Sequence, residues 1–239
     1  MTTYSAVGLS GRDINDIIRR ERDDDITFTH VNGQRFIADA MKDKTVTVEG
    51  IAGNASGAYM DGGKLIVRGN AQDAIGDTMN GGEIFISGMC GDAAGYAMRG
   101  GEIYIGKDVG YRAGIHMKEY GSDKPVLVIG GVAGDYLGEY QAGGLIIVVN
   151  TEGVANPLGD DYATGMHGGK IVVFTDCEPK PLGGARVRRA ESGDIDELAA
   201  YIDKFCALTS REYDDTVSRT AWIIEPAGRN PYKRLYVNN

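Results

Sequence analysis

Three histidines and three recurring aspartates are the side chains with the clearest capacity for acid–base chemistry. A histidine and a carboxylate brought together from neighbouring segments could transfer protons. Lone polar residues at the corners of a repeat more often hydrogen-bond the turns themselves. No nucleophile lies beside a recognisable base, so the sequence predicts no catalytic residue. The residues concerned are His30, His116, His167, Asp73, Asp92 and Asp135.

Two glycine-rich stretches come close to a phosphate-binding loop. GAYMDGGKL, residues 57–65, has its first glycine one position out of place, and Leu65 follows the lysine where Mg²⁺ binding needs a hydroxyl. Gly168-Gly169-Lys170-Ile171 lacks the same hydroxyl. No G-x-G-x-x-G pattern opens a helix after a strand, which argues against a dinucleotide site. We therefore predict no cofactor-binding residue in this chain.

Thioethers and thiols are the remaining groups that could bind a metal. Cys90, Cys177 and Cys206 are widely spaced and form no Cys-x-x-Cys pair, so neither a disulfide framework nor a metal motif is visible. The methionines recur two residues before glycine pairs or their equivalents, which favours a buried ladder of flexible side chains over metal ligation. We predict no metal site. These methionines are Met60, Met79, Met98, Met117 and Met166, with Gln141 in an equivalent position.

These residues belong to a repeat with a period of 19 residues. Strand-like runs begin in register at Val46, Leu65, Ile84 and Ile103, and later ones lie in the stretches that start at Val126, Ala142 and Met166. A fixed period of this size, with one short strand and no helix in each unit, indicates a single-stranded β-helix of about seven coils. We assign the glycine pairs to corners with positive φ. The pairs are Gly62, Gly63, Gly81, Gly82, Gly100, Gly101, Gly143, Gly144, Gly168 and Gly169.

Alternation along these strands separates two faces. Leu65 with Val67, and their equivalents one period on, are predicted to point inward. The opposite face contains a second apolar column, Ile66, Phe85 and Tyr104. A row of apolar side chains on an outer face indicates that something covers it, either the chain's own C-terminal segment or another protein. This column is our candidate docking surface.

Segments outside the repeat divide the chain into three predicted parts. Residues 1–43 are expected to form an N-terminal helix around 13–18 and a hairpin turning at Asn32-Gly33. Residues 44–184 form the glycine-rich solenoid. Residues 185–239 are predicted to form a helical tail, with Ser192 or Asp194 as the N-cap and a stripe of Leu198, Ile202 and Phe205, ending in Pro231 and Lys233-Arg234.

Composition excludes several classes of partner. The 239 residues include 25 basic and 34 acidic side chains, for a net charge of −9, which argues against nucleic-acid binding. No apolar run approaches membrane-spanning length, and the N-terminus does not resemble a secretory leader. With so few cysteines, the cytoplasm is the expected compartment.

Six phrases spread along the chain resemble one known domain. They are NGQRFI, GNAQDAIGDTMNGGEI, GDAAGYAMRGGEIYI, VGYRAGIHMKEY, VLVIGGVAGDYLGEYQAGG and TGMHGGKI, and the C-terminal ELAAYIDKFCALTS and AWIIEPAGRNPYKRL match as well. Together they resemble the C-terminal GXGXG domain of the glutamate synthase large subunit from about Asn32 onward. The resemblance implies an all-β solenoid, a single-stranded right-handed β-helix, with a short N-terminal α/β segment and C-terminal helices. It also implies that Gln141 replaces a methionine and makes that rung polar or displaced.

The same resemblance implies a role in an assembly. The glutamine amidotransferase domain and the flavin- and iron–sulfur-containing synthase domain of the family are absent from this chain, so it resembles a stand-alone structural subunit. Its expected partners are a glutamine amidotransferase subunit and an FMN/iron–sulfur synthase subunit, with FMN and iron–sulfur clusters bound by the partners and none in this chain. Self-association is left open. The complete enzyme makes glutamate from glutamine and 2-oxoglutarate with reducing equivalents.

Two alternatives share this kind of domain. Formylmethanofuran dehydrogenases include a scaffold chain with a similar glycine-rich β-helix, and N-methylglutamate synthases also have a chain of this kind. The NGQRFI and HMKEY phrases and the closing helices favour the glutamate synthase branch. An independent enzyme that uses His116 or His167 is the third hypothesis.

Overall fold

The computed structural model describes residues 1–182 and 184–228, within which eleven strands and three helices form. Nine strands follow one another in parallel, and two antiparallel strands complete the sheet, whose order is β1-β2-β3-β4-β5-β6-β7-β8-β9-β11-β10. The strands are β1 (Thr2–Ser5), β2 (Asp25–Asn32), β3 (Thr45–Ile51), β4 (Asp61–Arg68), β5 (Gly81–Ile86), β6 (Glu102–Ile105), β7 (Val126–Ile129), β8 (Ala142–Val148), β9 (Gly168–Phe174), β10 (Ala185–Arg189) and β11 (Ala221–Pro226); the helices are α1 (Gly11–Arg20), α2 (Ser192–Thr209) and α3 (Tyr213–Thr216).

This topology corrects the predicted fold class. The chain is not an all-β solenoid built as a single-stranded right-handed β-helix of about seven coils. Its strands form one open, mostly parallel sheet of eleven, while helices precede and follow the repeat along the chain as predicted. The period of the sequence predicted the pairing of strands one unit apart, but it contained no sign that β1 also joins the sheet in parallel or that the chain reverses direction at β11.

The repeat register is nevertheless regular. Leu65 pairs with Ile84 and Ile84 pairs with Ile103. These residues and their neighbours two positions on are fully buried, as the alternation predicted. Their side chains pack against the stacked connections between strands, in one core cluster that includes Ile75, Ala94 and Met79. One face of the sheet is therefore covered by the chain's own turns.

The predicted hairpin at Asn32-Gly33 is wrong. β2 pairs in parallel with both β1 and β3, so the chain does not double back after Asn32. Residues 34–41 instead form the first of the stacked turn segments, and Met41 is buried one period before Met60. The repeat thus begins earlier in the chain than its glycine pairs indicate.

The two ends of the stack are closed differently. At the N-terminal end, the predicted helix is confirmed as α1, and its buried Asn15 donates to the Phe36 carbonyl at 2.6 Å and accepts from the Ala38 amide at 2.9 Å. At the other end, β11 pairs antiparallel with β9 and β10. The predicted C-terminal helix is confirmed as α2, but its N-cap is Glu191, with Asp194 in the first turn. Pro231 and Lys233-Arg234 lie outside the described residues.

The second glycine of each pair occupies a corner that a side chain would obstruct. Gly82 has φ +87°, and a Cβ added there would lie 2.6 Å from the carbonyl oxygen of Gly62. Because Gly62 belongs to the backbone of the preceding unit, the contact has no flexible side chain that could move aside. The same positive φ occurs at Gly63, Gly101, Gly144 and Gly169.

We expect Gly82→Ala to lower the free energy of unfolding by about 2 kcal/mol or more, since it combines a strained backbone with a clash against backbone atoms. Gly184→Ala is the matched control, because Gly184 has φ +83° with nothing within 4 Å of an added Cβ. Urea denaturation of both variants separates the two costs. Equal destabilisation in the two variants would contradict a steric role for the corner.

Candidate functional site

The three candidate aspartates accept hydrogen bonds from backbone amides in the turns of the repeat. The Oδ1 atom of Asp73 accepts a hydrogen bond from the Asp92 amide at 3.0 Å, and Oδ1 of Asp92 accepts from the Tyr111 amide at 2.9 Å. Asp135 accepts from the Asp160 amide at 2.8 Å in the same way. Each carboxylate therefore satisfies a backbone donor in the following unit, an arrangement that stabilises turns and holds the carboxylate in place.

The two later histidines occupy different surroundings. The His116 ring lies against Tyr140, with ring centroids 5.4 Å apart and the planes within 9°, and meets Tyr96 edge-on at 6.1 Å. His167 is half-buried, with Nδ1 3.0 Å from the Gly165 carbonyl oxygen. The contacts of His116 are thus aromatic, and they form an exposed row of rings rather than a histidine–carboxylate pair. His30 has Nδ1 3.0 Å from the Thr29 hydroxyl.

The methionine ladder is buried. Met60, Met79, Met98 and Met117 have no exposed surface, and Met166 is 6% exposed. Gln141 occupies the remaining rung and is also fully buried. Its Nε2 donates to the carbonyl oxygens of Gly143 and Gly144, both at 3.2 Å, while its Oε1 has no hydrogen-bond partner within the described residues. The rung is polar but not displaced.

One part of the outer apolar column is covered by the chain's own helix α2, and the other part is partly exposed to solvent. Ile66, Phe85 and Tyr104 are aligned in register on β4, β5 and β6. Tyr104 is 1% exposed and belongs to a second core cluster with Leu198 and Phe205 of α2. Phe85 packs at the border of that cluster and is half-buried, as is Ile66. Tyr104 is consequently unavailable as a docking residue while α2 is in place.

A lysine on α2 anchors the helix to the sheet. Lys204 is ion-paired with Glu83 and, at 2.6 Å, with Glu102, and Glu83 also meets Lys64 at 2.8 Å. Burial raises the pKa of Glu83, but hydrogen bonds from Lys204 and Lys64 outweigh it, and the net pKa is lowered. Burial, followed by the hydrogen bond from its hydroxyl to Glu102, raises the pKa of Tyr104. The lysine thus balances two carboxylates that are stacked in neighbouring strands.

A second ionic contact fixes the start of α2. Arg188 on β10 donates from Nη1 and Nη2 to the two oxygens of Asp194 at 2.6 and 2.8 Å, and from Nε to Glu225 at 3.0 Å. The Asp194 carboxylate also accepts from the Glu191 amide at the N-cap. The hydrogen bond from Arg188 is the main cause that holds the pKa of Asp194 well below its usual range. This fork joins the helix to the antiparallel end of the sheet.

Neither a metal-binding cluster nor a membrane span is found in the described part of the chain. Over residues 1–182 and 184–228, no group of three or more histidine, cysteine or acidic side chains is arranged to hold a metal ion. Within the same residues, no helix is both long and apolar enough to cross a membrane. Burial raises the pKa of the Cys90 thiol to about 12, so this side chain stays protonated at neutral pH.

The family model described as the GXGXG motif matches residues 17–222, which is most of the chain and spans both the repeat and α2. The chain belongs to the GXGXG motif family. It is also 43% identical over 234 residues to an uncharacterized protein of Methanocaldococcus jannaschii, an alignment that covers 93% of this chain and 90% of that protein.

The conformation of the turn residues was missed in the sequence. Positive φ is not confined to glycine: Ala74, Ala93 and Arg112 share it in one stacked column, and Thr78, Ala97 and His116 share it in another. Each amide in these columns donates to the carbonyl of the following unit, as from Ala74 to Asp92 at 2.7 Å. The covering of Tyr104 by α2 is one of the two alternatives that the sequence left open for the outer column, and the predicted stripe on that helix is buried.

We expect Asp194→Asn to reduce the loss of stability in acid. Because the pKa of Asp194 is much lower in the folded than in the unfolded protein, its contribution is complete above the unfolded pKa of about 4 and is lost progressively as pH falls from there through the folded pKa. The variant should therefore unfold at lower temperature than the wild type at neutral pH, and the difference should begin to shrink below about pH 5 and continue to shrink below about pH 3.

Thermal unfolding followed by circular dichroism at several pH values measures this difference. Asp196→Asn is the control, since it removes the same charge from an exposed position of α2. A constant gap between wild type and Asp194→Asn across the pH range would show that the ion pair does not account for the stability of this junction.

Proposed function

We propose that the protein is a non-catalytic structural subunit of a cytoplasmic, multi-subunit glutamate synthase. In this role it would hold a glutamine amidotransferase subunit and an FMN/iron–sulfur synthase subunit in place. Membership of the GXGXG family supports the proposal. The main supporting observation is that the candidate catalytic groups stabilise the repeat itself. Asp73, Asp92 and Asp135 accept hydrogen bonds from backbone amides, and the methionines are buried in the core.

The outer sheet face beside α2 is the surface that we propose for a partner. Ile66 and Phe85 continue the apolar column beyond the part that α2 covers, and both are half-buried. A cavity of about 300 Å³ opens where Phe85 meets the C-terminal end of α2, lined also by Leu208 and Arg211. An apolar anchor beside a shallow cavity is typical of the centre of a protein interface.

Affinity purification from native cells, with identification of the bound chains, tests the proposal directly. We expect an amidotransferase subunit and a flavoprotein subunit to co-purify, and we expect glutamate formation by the reconstituted set to fall when this chain is omitted. The isolated chain should form no glutamate. Tight flavin on the isolated chain would contradict the proposal, and partners of a formyl-transfer or N-methylglutamate complex would assign the chain to one of those assemblies instead.

Substitution of the two histidines distinguishes a structural subunit from an independent enzyme. If the chain is an assembly subunit, His116→Ala and His167→Ala should leave glutamate formation by the reconstituted complex within about twofold of wild type. An activity of the isolated chain that either substitution abolishes would support a catalytic groove and would reject the assembly role as its only function.

We expect Phe85→Asp to weaken binding to the partner subunits by about tenfold or more, because a charge at an apolar contact must be desolvated without a partner. Tyr59→Asp is the matched control, since it also replaces an aromatic side chain with a carboxylate but at an exposed position in a turn, away from the outer sheet face. Binding is measured by surface plasmon resonance, and self-association by sedimentation. Normal partner affinity in a folded Phe85→Asp variant would remove this column from the interface.

A further inference from the structure

The repeat is interrupted between β6 and β7. Glu83 pairs with Glu102, 19 positions later, whereas Glu102 pairs with Val126, 24 positions later, so this connection contains five extra residues (24 − 19). The glycine pair expected one period after Gly100 and Gly101 is replaced by Glu119 and Tyr120. Insertions in a repeat form loops on its surface and often belong to binding sites.

The inserted residues form a defined loop. The amide of Tyr120 donates to the Asp123 carbonyl at 3.1 Å, and the amide of Asp123 donates to the Tyr120 carbonyl at 3.0 Å. The loop is tied to the sheet by Glu119, whose carboxylate accepts from the Gly144 amide at 3.1 Å. These bonds place Tyr120 and Asp123 beside the corners of the preceding units.

The loop closes one side of a cavity of about 400 Å³, lined by Asn80, Arg99, Lys118, Tyr120 and Asp123. Asn80, Arg99 and Lys118 follow the ladder methionines of three successive units, and each amide donates to the methionine carbonyl of the unit before it, at 2.7, 2.8 and 3.0 Å. These hydrogen bonds stack the connections of successive units, so the side chains of Arg99 and Lys118 begin close together.

The charge of this cavity differs from that of the whole protein. Two cationic side chains and one carboxylate line it, in a chain with a net charge of −9. Within the described residues, the Arg99 guanidinium has no ion-pair or hydrogen-bond partner. An anion in the cavity would accept from the planar donors of the Arg99 guanidinium, with the positive charge of Lys118 on the same wall.

We propose that this cavity binds a small anion with at least two acceptor groups, a dicarboxylate or a phosphate. Arg99 provides a bidentate contact and Lys118 a second positive charge, while the Asn80 amide and the Tyr120 hydroxyl complete the set of donors. Asp123 limits the negative charge that the site accepts and can receive a hydrogen bond from a ligand hydroxyl. The volume is within the range of small-molecule sites.

Titration calorimetry on the full-length chain tests the proposal, with succinate and inorganic phosphate as probes at constant ionic strength. We expect saturable one-to-one binding of at least one probe, with a Kd of about 1 mM or tighter. The tighter probe identifies the source of the anion. Arg99→Ala should weaken binding at least tenfold, and Arg99→Lys should retain more affinity than Arg99→Ala because it preserves the charge.

Two further variants keep the test specific. Tyr120→Ala, in the inserted loop, should weaken binding by about threefold to tenfold while leaving thermal unfolding unchanged. Arg68→Ala removes one positive charge from an exposed position elsewhere on the sheet and should leave the affinity unchanged. The proposal is overturned if neither probe saturates, if Arg99→Ala binds as well as wild type, or if Arg68→Ala weakens binding as much as Arg99→Ala. Because the isolated chain is used, none of these outcomes depends on the partner subunits.

Discussion

Parallel pairing of each repeat unit with the next is the constraint on which the rest of this structure depends. When Ile84 aligns with Leu65 on one side and Ile103 on the other, every other position in the unit is brought beside its own equivalent. The methionines then form a column, the aspartates accept amides from the following unit, and the turn amides donate across units. A residue that suits its place in one unit must also suit the residue above and below it.

This constraint explains which corners need glycine. At Gly82 the backbone of the preceding unit occupies the space of a side chain, whereas at Ala74 and His116 the same sign of φ is adopted by residues that bear one. The positive φ in those two columns costs free energy, which the cross-unit hydrogen bonds offset. Steric contact between units, rather than φ alone, therefore decides where the glycine pairs occur.

The outer face of the sheet is stabilised by different contacts, because it is covered by an element from outside the repeat. Tyr104 and the later strands are buried by α2, and Lys204 and Arg188 join that helix to the sheet through carboxylates. Coverage ends near Phe85, which leaves Ile66 and Phe85 as the apolar continuation. The proposed partner surface and the proposed anion site lie at two different places where the regular repeat is altered. The partner surface lies where the cover provided by α2 ends, and the anion site lies beside the inserted loop.

The sequence by itself determined the period, the buried ladder of methionines, the inward residues of the strands and the stripe of α2, because each of these depends on spacing within or between adjacent units. It identified Gln141 as the polar rung for the same reason. Sequence patterns also placed a helix near the N-terminus, which α1 confirms.

Only the tertiary structure decided the architecture of the sheet, the parallel course of β2 and the reversal at β11. It also decided that α2 buries Tyr104, that Asp194 pairs with Arg188, and that the inserted loop meets three successive units around one cavity. These features join residues from separate units or from opposite ends of the chain. Period and alternation describe neighbours along the sequence, and they contain no information on which distant segment will supply the other half of a contact.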